Sequence, residues 1–171
     1  MKTMNRTQKL CIAALLCAVA VVGSMFYFPI AASKCAPVQH MVNILCAVLL
    51  GPGYGVGVAF AASLIRNLLA LGTPMAFPGS MLGALLCGLV YWKTKNIPLT
   101  LVAEVFGTAV LGGLCAYPVA VLIMDQDAGA IAFYAYIVPF FVSTAGGAVL
   151  SGILLGALSR TGVLKHLLKE G

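Results

Sequence analysis

The chain has 171 residues, of which 62% are hydrophobic and only 8% are charged. A soluble domain carries roughly 25% charged residues because its surface must be solvated, so this composition excludes a soluble domain and indicates an integral membrane protein. The net charge of +6 does not predict nucleic-acid binding, because the basic residues lie in small groups between apolar runs. The six cysteines form no C-x-x-C pair, which favours packing over a metal site.

The apolar runs predict an all-α, polytopic membrane protein with six transmembrane helices in one domain, residues 1–171. A spanning helix needs about 20 apolar residues, and most runs approach this length. The second run has only 13 residues, because glycine and proline in "GPGYG" (51–55) end it. The predicted spans are residues 7–28, 38–50, 54–71, 80–92, 98–124 and 130–159.

The first run, residues 10–28, follows a basic N-terminus, as in a secretory signal. It is longer than a signal core and lacks a clean A-x-A cleavage site, so we expect a retained first span.

Small residues at i and i+4 permit close helix contact in lipid. Such pairs are Ala14-x-x-x-Ala18, Gly53-x-x-x-Gly57, Gly79-x-x-x-Gly83 and Gly152-x-x-x-Gly156.

The basic residues also predict the orientation in the membrane. Six spans place both termini on one side, together with the turn at 51–55 and the loop at 93–95. That side carries eight basic residues, and the other side carries Lys34 with two aspartates. The positive-inside rule therefore predicts a multi-pass plasma-membrane protein with cytoplasmic termini. The eight residues are Lys2, Arg6, Lys9, Lys93, Lys95, Arg160, Lys165 and Lys169.

The densest polar cluster, "SKCAPVQHMVN" (33–43), lies between the first two spans at the outer face. Gln39 and Asn43 are four residues apart, and His40 and Asn43 are three apart, so all three share one helical surface. They either hydrogen-bond to other helices or form the wall of a small-molecule pocket. We favour the pocket because the cluster adjoins a polar loop that contains Lys34.

Arg66 and Asn67 lie in the third span. A buried arginine costs roughly 2.5 to 3.5 kcal/mol at a helix centre, so Arg66 either reaches the headgroups or supports a site, while Asn67 points elsewhere on the helix. The loop "GTPMAFPGS" (72–80) follows. It is either a re-entrant turn that presents Phe77 over a ring or a rigid connector, and Ser80 is a possible N-cap of the fourth span.

The sixth span begins with aromatic residues, which are typical of an interfacial belt and also suit stacking on a flat heterocycle. Tyr134 and Tyr136 are about 200° apart on a helix, so at most one faces inward. Spans two, four and six start at the outer face, where their positive dipole ends add to Lys34 and Arg66. We therefore expect the pocket to favour electron-rich ligand atoms.

The sequence has no phosphate-binding G-x-x-x-x-G-K-[ST] loop, no H-E-x-x-H and no G-x-S-x-G. It predicts neither an enzyme nor a metal or cofactor site. Glu104 is alone within a span, and it is the sole candidate for the coupling acid of a secondary transporter. Such carriers usually contain inverted repeats, and the two halves of this chain do not match.

Two long stretches carry a family resemblance. They are "KCAPVQHMVNILCAVLLGPGYGVGVAFAASLIRN" (34–67) and "GTPMAFPGSMLGALLCGL" (72–89), with the specific strings P-x-Q-H-x-x-N and G-T-x-x-x-F-P-G-S. The chain resembles the ThiW family, substrate-binding S-components of energy-coupling factor vitamin transporters. With the six-span layout, the likeness covers nearly the whole chain.

The resemblance implies an S-component bundle that captures hydroxyethylthiazole, the thiazole precursor of thiamine, near the outer face. It also implies a transmembrane coupling subunit and two ATPase subunits as partners, with Ala14 and Ala18 as the docking motif. The substrate-binding candidates are Lys34, Gln39, His40, Asn43, Arg66, Asn67, Phe77, Ser80, Tyr134 and Tyr136. Alternatives are an S-component for another thiamine-related compound, a ligand-free scaffold, or a stand-alone secondary transporter.

Overall fold

The computed structural model describes residues 4–30, 33–127, 129–162 and 164. Lys2, Lys165 and Lys169, on which the predicted orientation partly depends, lie outside the described residues. The described chain is mostly helical. Its elements are α1 (Arg6–Gly23), β1 (Phe28–Ile30), β2 (Ser33–Cys35), α2 (Pro37–Leu49), α3 (Pro52–Leu68), α4 (Ala76–Thr94), α5 (Ile97–Phe106), a π-helical segment (Gly107–Gly112), α6 (Gly113–Leu122) and α7 (Ile137–Arg160).

The elements α5, the π-helical segment and α6 form one continuous rod, Ile97–Leu122. The described residues therefore contain six helical rods, in the order predicted from the apolar runs. Three of them are long and apolar enough to cross a membrane: α1, the α5–α6 rod and α7, with 18, 26 and 24 residues. The structure thus agrees with a mostly helical membrane protein, and six crossings stay a prediction.

The segment between α1 and α2 is a β-hairpin, which the all-helical prediction did not include. Strands β1 and β2 are antiparallel and pair Phe28 with Cys35. Helix α1 ends at Gly23 rather than near residue 28. At this end, the Ser24 hydroxyl donates to the Val21 carbonyl at 2.6 Å. Pro29 disfavours helical backbone at the residue before it, and Phe28–Ile30 is accordingly extended.

Two other helix boundaries differ from the prediction because of proline. Helix α7 begins at Ile137 rather than near residue 130, since the ring of Pro139 is tolerated only in the first turn of a helix. Helix α4 begins at Ala76, with Pro78 in its first turn. The interpretation of Ser80 as an N-cap was therefore wrong, because Ser80 lies one turn inside the helix.

Helix α2 occupies the centre of the bundle. It contacts α1, α3, α4, α5 and α7, and nine of its 13 residues are buried. At 1.5 Å per residue it is about 20 Å long, which is shorter than the roughly 30 Å hydrocarbon core of a bilayer. A short helix that is enclosed on all sides explains why its polar residues do not face lipid.

Helix α4 and the α5–α6 rod approach each other through glycines. A Cβ atom built on Gly112 would lie 2.5 Å from the Cα of Gly79, and one on Gly83 would lie 2.8 Å from the Glu104 carboxylate. The Gly79–Gly83 pair therefore permits close packing. The Gly53–Gly57 pair has no atom within 4 Å of either Cβ position and does not pack inside the described bundle.

Candidate functional site

A cavity lies at the end of the bundle that contains the β-hairpin, which we call the hairpin end. Helices α2, α4 and α7 begin there and α3 ends there. The cavity volume is about 30 Å³, enough for about two water molecules. Its walls come from the starts of α2, α4 and α7, the end of α3 and the middle of the α5–α6 rod. The lining residues are Lys34, Ala36, Gln39, His40, Arg66, Thr73, Ala76, Gly79, Ser80, Thr108, Phe140 and Ser143.

A buried carboxylate, Glu104, organises the polar groups beneath this cavity. It has no exposed surface, and its Oε1 accepts hydrogen bonds from Asn43 Nδ2 at 3.0 Å and Thr108 Oγ1 at 3.1 Å. His40 Nδ1 lies 3.1 Å from the same oxygen. In the tautomer that donates from Nδ1, His40 keeps Nε2 as its acceptor, so Glu104 fixes the orientation of a ring that lines the cavity.

A second set of hydrogen bonds connects α2 with α3 and α4. Gln39 Nε2 donates to Ser80 Oγ at 2.7 Å and to Ser63 Oγ at 3.1 Å. Asn43 Nδ2 also donates to the Ser80 backbone oxygen at 3.1 Å. Each of these side chains is buried. Since paired polar groups in an apolar interior hold their neighbours in fixed positions, the lining side chains of α2 are pre-oriented.

Glycines provide the space for this polar cluster. A Cβ atom on Gly83 would overlap the hydroxyl oxygen of Thr108 and crowd Glu104. A Cβ atom on Gly147 of α7 would lie 2.5 Å from the Pro37 carbonyl and 2.6 Å from the His40 Cβ. Only a residue without a side chain fits at either position, so α4 packs directly against the Glu104 carboxylate and α7 packs directly against the first turn of α2 at His40.

The two basic side chains that line the cavity, Lys34 and Arg66, differ in their hydrogen-bond partners. Lys34 donates from Nζ to the Ala70 carbonyl at 3.1 Å, and its Nζ lies 5.1 Å from the centre of the Tyr27 ring. Arg66 is only 2% exposed. Within the described residues its Nε has no hydrogen-bond partner, and the single contact there between a basic side chain and a carboxylate is that of His40 with Glu104.

Comparison with protein families matches residues 10–161 to ThiW, described as a thiamine-precursor transporter protein. The chain belongs to the ThiW family. It is accordingly a membrane transporter for a thiamine precursor, and the prediction that it is not an enzyme is confirmed. Comparison with curated proteins gives no significant match.

The structure of this ThiW-family chain brings together six residues that the sequence singled out. Five of them line the cavity, and Asn43 lies beneath it on Ser80 and Glu104. They come from the hairpin and from α2, α3 and α4, so segments distant in the chain share one site. Their contact with a ligand stays a prediction. The six are Lys34, Gln39, His40, Asn43, Arg66 and Ser80.

The structure places the other four candidates away from the cavity lining. Asn67 donates to the carbonyls of Ser63 and Thr73, at 2.8 and 3.2 Å, and connects α3 to the loop before α4. The ring of Phe77 packs at 5.7 Å from that of Phe60. The remaining two are Tyr134, which is 57% exposed, and the buried Tyr136, whose hydroxyl donates to Gln126 Oε1 at 2.7 Å.

The ligand-binding candidates named from the sequence did not include several residues of this site in the ThiW chain, among them Glu104, Thr108, Phe140 and Ser143. The spacing of Glu104 and Thr108, four residues apart on one helical face, was an available signal. An acidic residue in an apolar span is itself a pointer to a site. Phe140 and Ser143 carried no comparable signal, because serines and aromatic residues are common in membrane helices.

Proposed function

We propose that this ThiW-family chain is the substrate-capture S-component of an energy-coupling factor importer, and that it binds hydroxyethylthiazole in a pocket facing outward. The observation that carries the proposal is the cavity at the hairpin end, with buried and oriented hydrogen-bonding groups beneath it. A small heterocycle with a hydroxyl group needs a few fixed donors and acceptors inside an apolar wall. His40, Gln39 and Ser80 supply such groups, and Phe140 supplies an aromatic face.

The proposed ligand requires the cavity to widen. A five-membered ring is larger than the two water molecules that about 30 Å³ accommodates. The base of the cavity is held by the hydrogen bonds of Glu104 and Ser80. The mouth is held less firmly, because Lys34 is only half-buried and has a single hydrogen bond. We therefore expect the ligand to enter past Lys34.

The exposed face of α1 is the proposed docking surface for the coupling subunit. Ala14 and Ala18 are both exposed, and their spacing places them on one side of the helix. Ala18 also lines a shallow apolar groove with Val22 and Val38. Small residues beside such a groove permit a helix of the coupling subunit to approach closely.

An S-component needs the two ATPases of the complex for import, because this sequence lacks a phosphate-binding loop of its own. Uptake of radiolabelled hydroxyethylthiazole should depend on co-expression of the coupling subunit and both ATPases. Ala18→Trp should abolish co-purification with the coupling subunit and leave ligand binding intact. Thr161→Ala, at the exposed C-terminal end of α7, is the matched control. Co-purification that survives Ala18→Trp would contradict this docking face.

One observation favours a second candidate, a secondary carrier coupled to protons. His40 and Glu104 form a buried titratable pair beneath the cavity, and such pairs serve as proton relays in membrane transporters. The uptake experiment separates the two candidates. Full uptake in cells that lack the ATPases, abolished by a protonophore, would favour the carrier over the S-component. A ligand-free scaffold would not explain why hydrogen-bonding side chains are held in fixed orientations at the cavity.

A further inference from the structure

The arginine at the cavity, Arg66, has no ion-pair partner among the described residues. It is 2% exposed and lines the cavity, while its Nε has no hydrogen-bond partner within the described residues. A guanidinium cation carries five N–H donors in a planar fork, and burial without a counter-charge is unfavourable. A ligand that enters the cavity and supplies a hydrogen-bond acceptor would offset the free-energy cost of burying the Arg66 guanidinium.

The buried carboxylate beneath the cavity does not serve as this acceptor. Among the described residues, Glu104 is the one buried acidic residue, and it is not part of the cavity lining. Its Oε1 already accepts from Asn43 and Thr108 and pairs with His40. Its Oε2 has no hydrogen-bond partner within the described residues, and no ion pair joins the carboxylate to Arg66 there.

Further positive potential converges on the same cavity. Lys34 lines it together with Arg66. Helices α2, α4 and α7 begin at its wall, and the N-terminus of a helix carries a partial positive charge. These sources have one sign, and the described lining contains no acidic residue. The Glu104 carboxylate lies beneath the lining, in contact with His40. An anionic oxygen group is the chemistry that complements this arrangement.

We infer that the ligand of this cavity carries an anionic oxygen group of the phosphate type, which Arg66 binds through its guanidinium. The inference rests on the proposed function and deepens it. The preferred substrate is then the phosphate monoester of the thiazole alcohol, and the free alcohol binds more weakly. Arg66 is suited to the role because its planar fork matches phosphate geometry, whereas a lysine at the same position is a point charge.

The test is calorimetry on the purified full-length chain in nanodiscs of zwitterionic lipid. The probes are hydroxyethylthiazole, its phosphate monoester and inorganic phosphate, and the variants are Arg66→Gln and Arg66→Lys. Lys93→Gln is the matched control, because Lys93 is exposed at the opposite end of α4. Repeating the titration in nanodiscs with an anionic lipid shows whether a lipid headgroup takes the same site.

The inference predicts that the monoester binds about tenfold more tightly than the alcohol. Arg66→Gln should remove this preference, Arg66→Lys should keep part of it, and Lys93→Gln should keep all of it. Equal or tighter binding of the alcohol by the unmodified chain would overturn the inference alone and leave the proposed function standing. Displacement of the monoester by inorganic phosphate at equal concentration, or by the anionic lipid, would also overturn it. Absence of binding by both thiazole probes would overturn both proposals.

Discussion

Replacing Glu104 tests whether one carboxylate holds the base of the site together. Glu104→Ala removes the acceptor of three buried donors, on His40, Asn43 and Thr108. A buried donor left without a partner costs about 1–3 kcal/mol. With three such donors, we expect the free energy of unfolding to fall by at least about 3 kcal/mol.

The measurement is the melting temperature of the purified protein in detergent. For a chain of this size, 1 kcal/mol shifts Tm by about 2–4 °C, so Glu104→Ala should lower Tm by at least about 6 °C. Glu104→Gln keeps one acceptor oxygen and should have a smaller effect. The matched control is Asp125→Asn, the same carboxylate-to-amide change in an exposed loop. A Tm for Glu104→Ala within about 1 °C of the unmodified protein would refute this account of the network.

Two further predictions use matched pairs of residues. Gly83→Ala should lower stability by about 1–3 kcal/mol, because its Cβ would overlap Thr108. Gly57→Ala should be neutral or stabilising, because no atom lies within 4 Å of its Cβ position. If the Gly83→Ala and Gly57→Ala variants had equal melting temperatures, the packing argument would be contradicted. Phe140→Ala should weaken thiazole binding about tenfold by calorimetry, because its ring lines the cavity. Tyr134→Ala should leave binding unchanged, because Tyr134 is exposed. If Tyr134→Ala weakened binding and Phe140→Ala did not, the ligand would bind elsewhere.

The local part of the site was predictable from the sequence. Gln39, His40 and Asn43 share a face because the spacing of a helix dictates it, and their polarity in an apolar run indicated a buried site. The six rods followed from the apolar runs in the same way. The sequence did not predict which residue of another helix this face of α2 contacts. Glu104 is 64 residues from His40, and periodicity within α2 carries no information about such a distant contact.

The aromatic candidates show a second limit. Tyr134 was a candidate because a helix starting near residue 130 would have included it. The structure begins α7 at Ile137, where Pro139 fits the first turn, so the segment with Tyr134 precedes the helix. Phe77 packs on Phe60 of α3. The direction in which a loop residue such as Tyr134, or a residue in the first turn of a helix such as Phe77, points depends on tertiary packing, and the residue type does not determine it.

The decisive measurement is a calorimetric titration of hydroxyethylthiazole into the purified chain. We expect saturable one-to-one binding that His40→Ala weakens, because the ring that lines the cavity is lost while Glu104 and Asn43 remain paired. Lys95→Gln, at the exposed opposite end of α4, should leave the affinity unchanged. Absence of heat from hydroxyethylthiazole and from its phosphate monoester, with a folded protein, would contradict the claim that this cavity captures a thiamine precursor.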